Sequence, residues 1–113
     1  MEIPNDEIEE LKALCPGVAA AEEGGKPFFL LPLLHVGDAA QPAQTDALLC
    51  PSARDGYESR LFFSRQIKGP NPLNWNANGV RILNREWFAH SWRVHKGLRL
   101  AQMIGEHLTA FRI

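Results

Sequence analysis

The chain has 113 residues, of which 45% are hydrophobic and 22% are charged, so it is long enough for one folded domain and too short for a second core. A formal net charge of −1 gives no electrostatic basis for binding nucleic acid or an anionic membrane. The longest apolar run, residues 28–34, contains Pro32 and is too short to span a bilayer. The acidic amino-terminal sequence has no apolar signal core, so we expect a cytoplasmic protein in which Cys15 and Cys50 are free thiols.

The first segment predicts a short helix. Asn5 is a good N-cap, and acidic residues follow it in the first turn, where they complement the helix dipole. Pro16 and Gly17 then end the helix. Its apolar residues are Ile8, Leu11, Leu14 and Cys15.

Three or four antiparallel strands are predicted next. A Gly24-Gly25 turn between two apolar runs indicates a hairpin, and the second run, residues 28–31, has no polar face, so we expect both of its sides to be covered. A further short strand is predicted at residues 47–50. After a turn at Asp55-Gly56, alternation over residues 61–67 predicts the last strand.

After Ile67 the sequence predicts a long ordered loop, which includes the aromatic residues 74–92. Prolines forbid regular structure at its start, and Trp75, Trp87 and Trp92 must be buried, which is typical of an ordered surface over a scaffold. An apolar stripe over residues 98–111 predicts a final helix. The expected fold class is α+β, a single domain of all 113 residues with an N-terminal helix, an antiparallel meander of three or four strands, a long ordered loop and a C-terminal helix.

Four short motifs lie within residues 55–94: Asp55-Gly56-Tyr57, Asn74-Trp75-Asn76, Asn84-Arg85-Glu86-Trp87 and Trp92-Arg93-Val94. Together with the element order, they resemble the ubiquitin-conjugating enzyme (UBC) superfamily. The first stands where that family has a Tyr-Pro turn, and the second stands at its His-Pro-Asn motif. Trp92-Arg93-Val94 falls at its Trp-Ser-Pro stretch, and Asn84-Arg85-Glu86-Trp87 resembles the Gly-Arg-x-Trp motif of a bacterial branch. The resemblance covers roughly residues 45–112. It implies a UBC-like fold, with a ubiquitin-like protein and an activating enzyme as partners.

The resemblance also implies a function: carrying or transferring a ubiquitin-like protein from the activating enzyme to an acceptor. The family's catalytic cysteine is expected between Ile82 and Asn84, where this chain has none. A non-standard nucleophile is therefore expected, either Cys50 through a thioester or Ser91 through an oxyester. Two alternatives stay open. One is a non-catalytic UBC-like module that scaffolds the activating enzyme or the ubiquitin-like partner, and the other is an unrelated small α+β domain that binds a peptide or ligand.

Each candidate site residue has a structural alternative. Cys50 also fits a buried strand cysteine, and Ser91 also fits a residue that caps the turn before the helix. Asn76 corresponds to the family's asparagine that stabilises the oxyanion, but asparagine also holds irregular loops. His90 is a supporting candidate, although adjacent residues of an extended segment point to opposite faces, which makes it a poor base for Ser91. His95 is the other possible base.

The remaining polar residues indicate no cofactor. The spacings of His90, His95 and His107 fit no zinc signature, and there is no Cys-x-x-Cys, so no metal site is expected. In the superfamily the first helix contacts the activating enzyme, whereas a run of charges is ordinarily a solvated face. The charged residues predicted on the outer face of this helix are Glu7, Glu9, Glu10 and Lys12.

Overall fold

A computed structural model describes residues 3–112 and has a six-stranded antiparallel sheet as its main element. Helix α1 (Asn5–Leu14) precedes the sheet, and helix α2 (Leu100–Leu108) follows it and runs into a short 3-10 helix, Thr109–Phe111. The strands are β1 (Ala19–Glu23), β2 (Lys26–His35), β3 (Gln44–Cys50), β4 (Arg60–Phe63), β5 (Trp75–Ile82) and β6 (Arg85–His90). Their order across the sheet is β1-β2-β3-β4-β6-β5.

The predicted fold class, a UBC-like α+β fold with a short meander and a long loop, is wrong. Most of the predicted loop forms β5 and β6, so the domain is dominated by its sheet and has only two short helices. Leu83 and Asn84 close this hairpin with φ values of 52° and 63°. Leucine gives no turn signal, and the asparagines and glycine of β5 are residues that strands disfavour, so the sequence pattern concealed the hairpin.

The first hairpin is confirmed. Gly24 and Gly25 connect β1 to β2 with φ values of 61° and 78°, which residues other than glycine rarely adopt. The expectation for β2 is also confirmed, since Phe28 and Phe29 are both buried and belong to clusters on opposite faces of the sheet. Alternating side chains of one strand therefore supply two cores.

Several predicted boundaries need correction. Pro4, not Asn5, is the N-cap residue of α1, and no side chain caps that end. β4 ends at Phe63 instead of Ile67, and α2 begins at Leu100 instead of Leu98. No helix among residues 3–112 is long and apolar enough to cross a membrane.

The two helices share one face of the sheet. Leu11 of α1 and Ile104 of α2 are fully buried in the cluster on this face. The acidic side chains of α1 help to join the helices, because Arg99 pairs with Asp6 at 2.8 Å and with Glu10 at 3.0 Å. The predicted outer face of α1 is thus partly an interhelical contact.

Glu7 also belongs to this contact. Its carboxylate accepts a hydrogen bond from the backbone N–H of Leu100 at 3.1 Å, at the start of α2. A carboxylate is favourable there because the first N–H groups of a helix have no partner within the helix. Of the charged residues predicted on the outer face, Glu9 and Lys12 pair with each other at 3.4 Å and are exposed.

The second face of the sheet is covered without a helix. The Leu83 N–H, in the β5–β6 turn, donates to the Glu23 carboxylate at the end of β1 at 3.1 Å. Because β1 and β5 are the two outermost strands, this contact means that the sheet is strongly curved and closes over its own second face. The buried residues of this cluster are Phe28, Leu48, Cys50, Phe62, Ala77, Ile82, Trp87 and Ala89.

Candidate functional site

The β5–β6 hairpin has two ends with different contents. We call residues 82–87, which include the turn, the tip, and we call the end that holds Asn76, His90 and Ser91 the open end. About 20 Å of strand separates them, at about 3.3 Å per residue. The open end therefore brings together three of the four candidate site residues. The window expected to hold the family's cysteine lies at the tip.

Tyr57 is the centre of the polar contacts at the open end. Its Oη lies 2.7 Å from Ser91 Oγ and accepts a hydrogen bond from Asn76 Nδ2 at 3.0 Å. Sequence reasoning assigned Tyr57 no chemical role, and its only signal was its place after the Asp55-Gly56 turn. We call the group formed by Tyr57, Arg60, Asn76, Ser91 and Arg93 the Tyr57 cluster.

A tight turn in the β3–β4 connection positions Tyr57. Asp55 and Gly56 have φ values of 54° and 85°, and Arg54 and Tyr57 exchange two backbone hydrogen bonds of 2.9 Å. The turn predicted at Asp55-Gly56 is thus confirmed. It directs Tyr57 back against the sheet, where only 9% of the residue is exposed.

Arg60, the first residue of β4, fixes the direction of the hydrogen bonds in the cluster. Its buried guanidinium donates to Asn76 Oδ1 at 2.6 Å and to the His90 carbonyl at 3.2 Å. Because Asn76 Oδ1 is an acceptor, Asn76 Nδ2 is the atom that faces Tyr57 and donates to it. Tyr57 Oη therefore receives one hydrogen bond from Asn76, and its own proton, when present, is directed to Ser91.

The same geometry occupies both ends of the Asn76 amide. Its oxygen accepts from Arg60 and its nitrogen donates to Tyr57. Stabilising an oxyanion, the role that the resemblance implied for Asn76, needs a donor aimed at the reacting atoms. In this structure one of the two N–H donors of Asn76 Nδ2 is directed at Tyr57 instead.

The cluster lowers the pKa of Tyr57 from its ordinary value. The hydrogen bond with Ser91 contributes most to lowering the pKa of Tyr57, the hydrogen bond from Asn76 acts in the same direction, and burial opposes them. Two cations also lower this pKa: the guanidinium of Arg60 lies 4.5 Å from the centre of the Tyr57 ring, and that of Arg93 lies 5.1 Å from it. A lower pKa raises the fraction of Tyr57 present as the phenolate, which is the form that can accept a proton.

His90, by contrast, is enclosed by aromatic rings. It is 6% exposed, and its Nδ1 is buried with no hydrogen-bond partner among residues 3–112. Burial lowers the pKa of His90 to about 4, and the charge of Arg60 adds to this effect, so the ring is neutral at pH 7. The surrounding rings, with centroids 5.2 to 6.3 Å away, are Phe63, Trp75, Trp92 and Phe111.

The surroundings of Cys50 differ from those of the three candidates at the open end. It is the last residue of β3, has no solvent exposure, and belongs to the apolar cluster on the second face. Its Sγ donates to the Ser52 carbonyl at 3.5 Å. A thiol that accepts an acyl group from another protein must be accessible, and Ser91, which is half-buried, meets this requirement better.

His95 and His107, the other two histidines considered as metal ligands, have separate partners. His107 is buried, and its Nε2 lies 3.0 Å from Ser59 Oγ. Burial is the largest cause that lowers the pKa of His107 to about 4, and the charge of Arg60 acts in the same direction, as does His90 when it is protonated. His95 is exposed and pairs with Glu106 at 2.9 Å. Across the described part of the chain, no three His, Cys, Asp or Glu side chains come together as metal ligands.

Comparison of this chain with models of known protein families, with curated proteins and with solved structures gives no match. The resemblance to the UBC superfamily therefore rests on local motifs within residues 45–112 alone, and the six-stranded sheet does not support it. The Tyr57 cluster is the strongest basis for a function, because hydrogen bonds fix its side chains and its serine hydroxyl is not fully buried.

Proposed function

We propose that the protein is an acyl carrier in which Ser91 accepts the acyl group as an ester and Tyr57 accepts the serine proton. The observation that carries the proposal is the 2.7 Å contact between Ser91 Oγ and Tyr57 Oη. It supports this role because serine is a weak nucleophile that needs a proton acceptor within hydrogen-bond reach. The Arg60–Asn76 chain supports it further, since it orients the tyrosine before any donor arrives.

The proposed step is a transesterification. Ser91 Oγ attacks the carbonyl carbon of a thioester, the C–O bond forms, the serine proton moves to the Tyr57 phenolate, and the C–S bond breaks to release a thiolate. Arg93, which is exposed and donates one hydrogen bond to the Gly56 carbonyl at 3.0 Å, is the cation available to the developing oxyanion. Attack by an amine on the ester would then return the serine.

For the donor we propose the C-terminal carbonyl of a ubiquitin-like protein, held as a thioester by an activating enzyme. This part rests on the motifs at residues 74–76, 84–87 and 92–94, whereas the ester on Ser91 rests on geometry. The two parts can be tested separately, with a simple acyl donor for the chemistry and with the protein partners for the pathway.

A second function is favoured by a different property of the same cluster. Tyr57, Arg60 and Asn76 satisfy one another and tie the β3–β4 connection to the open end. A purely structural role would account for these three residues. The protein would then be a non-catalytic binding module that scaffolds the activating enzyme or the ubiquitin-like partner without forming an ester.

Intact-mass measurement separates the two functions. The protein is incubated with its cognate activating enzyme, ATP and ubiquitin-like protein, and in parallel with p-nitrophenyl acetate. The carrier proposal predicts an adduct on Ser91 that resists thiol reductant, is released by hydroxylamine, and is absent from Ser91→Ala. Tyr57→Phe should form it at least about tenfold more slowly, within the range of lost acid–base catalysis. Ser52→Ala is the matched serine control and should react normally.

The other outcomes are equally definite. If the unmodified protein binds the partner proteins but forms no adduct, and Ser91→Ala binds them equally well, the carrier proposal is overturned and the binding module is supported. If thiol reductant cleaves the adduct and Cys50→Ser abolishes it, the acyl group is carried by Cys50 and not by Ser91. The rate should also rise with pH as Tyr57 ionises, below the ordinary tyrosine range because its pKa is lowered. A merely structural tyrosine would not produce this pH profile.

A further inference from the structure

A second surface of the molecule has features of a binding site. A groove of about 580 Å³ lies between Gln41-Pro42, residues 65–68 and Trp75. A smaller hollow of about 270 Å³ over residues 69–73 adjoins it and shares Ile67, Lys68 and Trp75 with it. We call the two together the Trp75 groove.

The walls of the Trp75 groove are fixed by hydrogen bonds. Gln41 and Lys68 exchange two backbone hydrogen bonds of 2.7 and 3.0 Å across it. The side chain of Gln66 donates to Asn78 at 2.6 Å, and Asn78 in turn donates to the Trp75 carbonyl at 2.9 Å. A groove that is already formed loses less conformational entropy when a ligand binds.

The charge of the groove is positive. Arg65 and Lys68 are exposed, and neither pairs with a carboxylate within residues 3–112, although Arg60, Arg85 and Arg99 all do. No acidic residue lines either part of the groove. This is a local cationic patch on a chain whose formal net charge is −1.

Trp75 supplies both an apolar surface and a hydrogen-bond donor. Its ring packs edge-on against Phe63, with centroids 6.2 Å apart, so the indole is held in place. Trp87 and Trp92 donate their indole N–H groups to the carbonyls of Ile82 and Glu106. The indole N–H of Trp75 has no such acceptor in the described part of the chain, which leaves it free for a ligand.

We infer that the Trp75 groove binds an extended acidic peptide segment of a partner protein. Carboxylates of the peptide pair with Arg65 and Lys68, a peptide carbonyl accepts from Trp75 Nε1, and an apolar side chain packs on the indole. Nucleic acid is the less favoured occupant, because two cations on a net acidic chain neutralise few phosphates. This inference is independent of any chemistry at Ser91.

Fluorescence anisotropy tests the inference with the full-length protein. The probe is a fluorescein-labelled decapeptide that alternates glutamate with leucine, and the matched peptides alternate lysine with leucine and glutamate with serine. We expect saturable binding of the Glu–Leu peptide alone, weakened by salt. The double substitution R65E/K68E should raise its Kd at least about tenfold, since it replaces two attractions with two repulsions.

A charge-matched control keeps the result specific. R81E/K96E makes the same charge change at exposed residues outside the groove and should alter the Kd less than about threefold. The Trp75 indole N–H resonance should shift on binding in a ¹H–¹⁵N spectrum. Equal binding by R65E/K68E, tighter binding of labelled oligo(dT), or no saturable binding of the Glu–Leu peptide below about 1 mM would each overturn the inference.

Discussion

The tip and the open end of the β5–β6 hairpin lie in one continuous stretch of sequence but are held by different forces. At the tip, Ile82 and Trp87 are fully buried among apolar side chains, and the contacts are mainly those of packing. At the open end, the buried guanidinium of Arg60 joins Asn76 and Tyr57 through hydrogen bonds, beside the neutral ring of His90. Packing holds the tip of the hairpin, whereas a network of hydrogen bonds holds its open end.

This difference between the two ends shows that a stretch rich in motif residues need not hold the functional site. The tip carries the Asn84-Arg85-Glu86-Trp87 motif, yet Trp87 serves the core and Arg85 pairs with Asp46 at 3.1 Å. The residue that organises the open end, Tyr57, comes from a separate loop. A site is defined by the groups that meet in space, and the groups at the open end come from three separate stretches of sequence, residues 57–60, residue 76 and residues 90–93.

The largest effect is expected at the tip. Trp87→Ala should lower the free energy of unfolding by about 3–5 kcal/mol, because it leaves a cavity in the second-face cluster and removes the indole hydrogen bond to the Ile82 carbonyl. Urea denaturation measures the change. If the alanine variant does not fold, Trp87→Phe, which keeps an aromatic ring, provides a milder test.

Trp92→Ala is the matched variant near the open end. Trp92 is only partly buried, so the loss should be about 1–2 kcal/mol. Equal losses for Trp87 and Trp92 would contradict the view that packing dominates at the tip.

The next effect is a pH dependence that belongs to the open end. Burial lowers the pKa of His90 to about 4, below the ordinary value of 6.5. The unfolded chain therefore binds a proton more readily than the folded one, and the stability due to His90 is full above pH 6.5 and is lost as the pH falls toward 4. Between pH 7 and pH 4.5 the loss is about 2–3 kcal/mol from this residue.

His90→Phe keeps an aromatic ring in the same surroundings and should remove this part of the pH dependence. Because His107 remains in both proteins, the difference between their urea denaturation curves isolates His90. The control is His35→Asn, which removes an exposed histidine that lies outside the aromatic enclosure of His90. A His90→Phe profile as steep as the unmodified one would show that His90 titrates normally.

Arg60 tests the hydrogen-bond network directly. Arg60→Gln removes the donors to Asp55, Asn76 and the His90 carbonyl, and should cost about 2–3 kcal/mol because these bonds involve a buried charge. Hydrogen exchange should accelerate in the β3–β4 connection and at the open end but not at the tip. Arg81→Gln, at an exposed residue of the same hairpin, should cost less than about 0.5 kcal/mol. Uniform acceleration over the hairpin would contradict a separation between its two ends.

The sequence predicted best those elements whose signals are local. Gly24-Gly25 and Asp55-Gly56 predict turns because these turns need positive φ values, which glycine adopts without strain. The apolar faces of the two helices were visible for the same kind of reason, since their periodicity is contained within each segment. β5 and β6 were missed because the turn at Leu83 lacks any such signal, and pairing of strands then overrides weak strand propensity.

The candidate site was predictable only in part. Asn76, His90 and Ser91 were identified, and they do lie together at the open end. Their partners Tyr57 and Arg60 were not identified, because a contact across 34 residues, such as that between Tyr57 and Ser91, leaves no local pattern. The interhelical ion pairs of Arg99 were missed for the same reason.

The smallest expected effect concerns the turn at the tip. Asn84 has a φ of 63°, a conformation that costs most L-residues about 1–2 kcal/mol but that glycine adopts freely. Asn84→Ala should therefore lower the free energy of unfolding by about 1 kcal/mol, whereas Asn84→Gly should leave it unchanged or raise it by about 0.5 kcal/mol. Thermal unfolding of the two variants measures the difference, with Glu86→Ala, at an exposed residue of the same hairpin, as control. Because Asn84 is exposed and contributes no packing to the core, a stability order of Gly above Asn above Ala can arise only from the backbone of the turn, and Ala above Gly would mean that the turn is not left-handed.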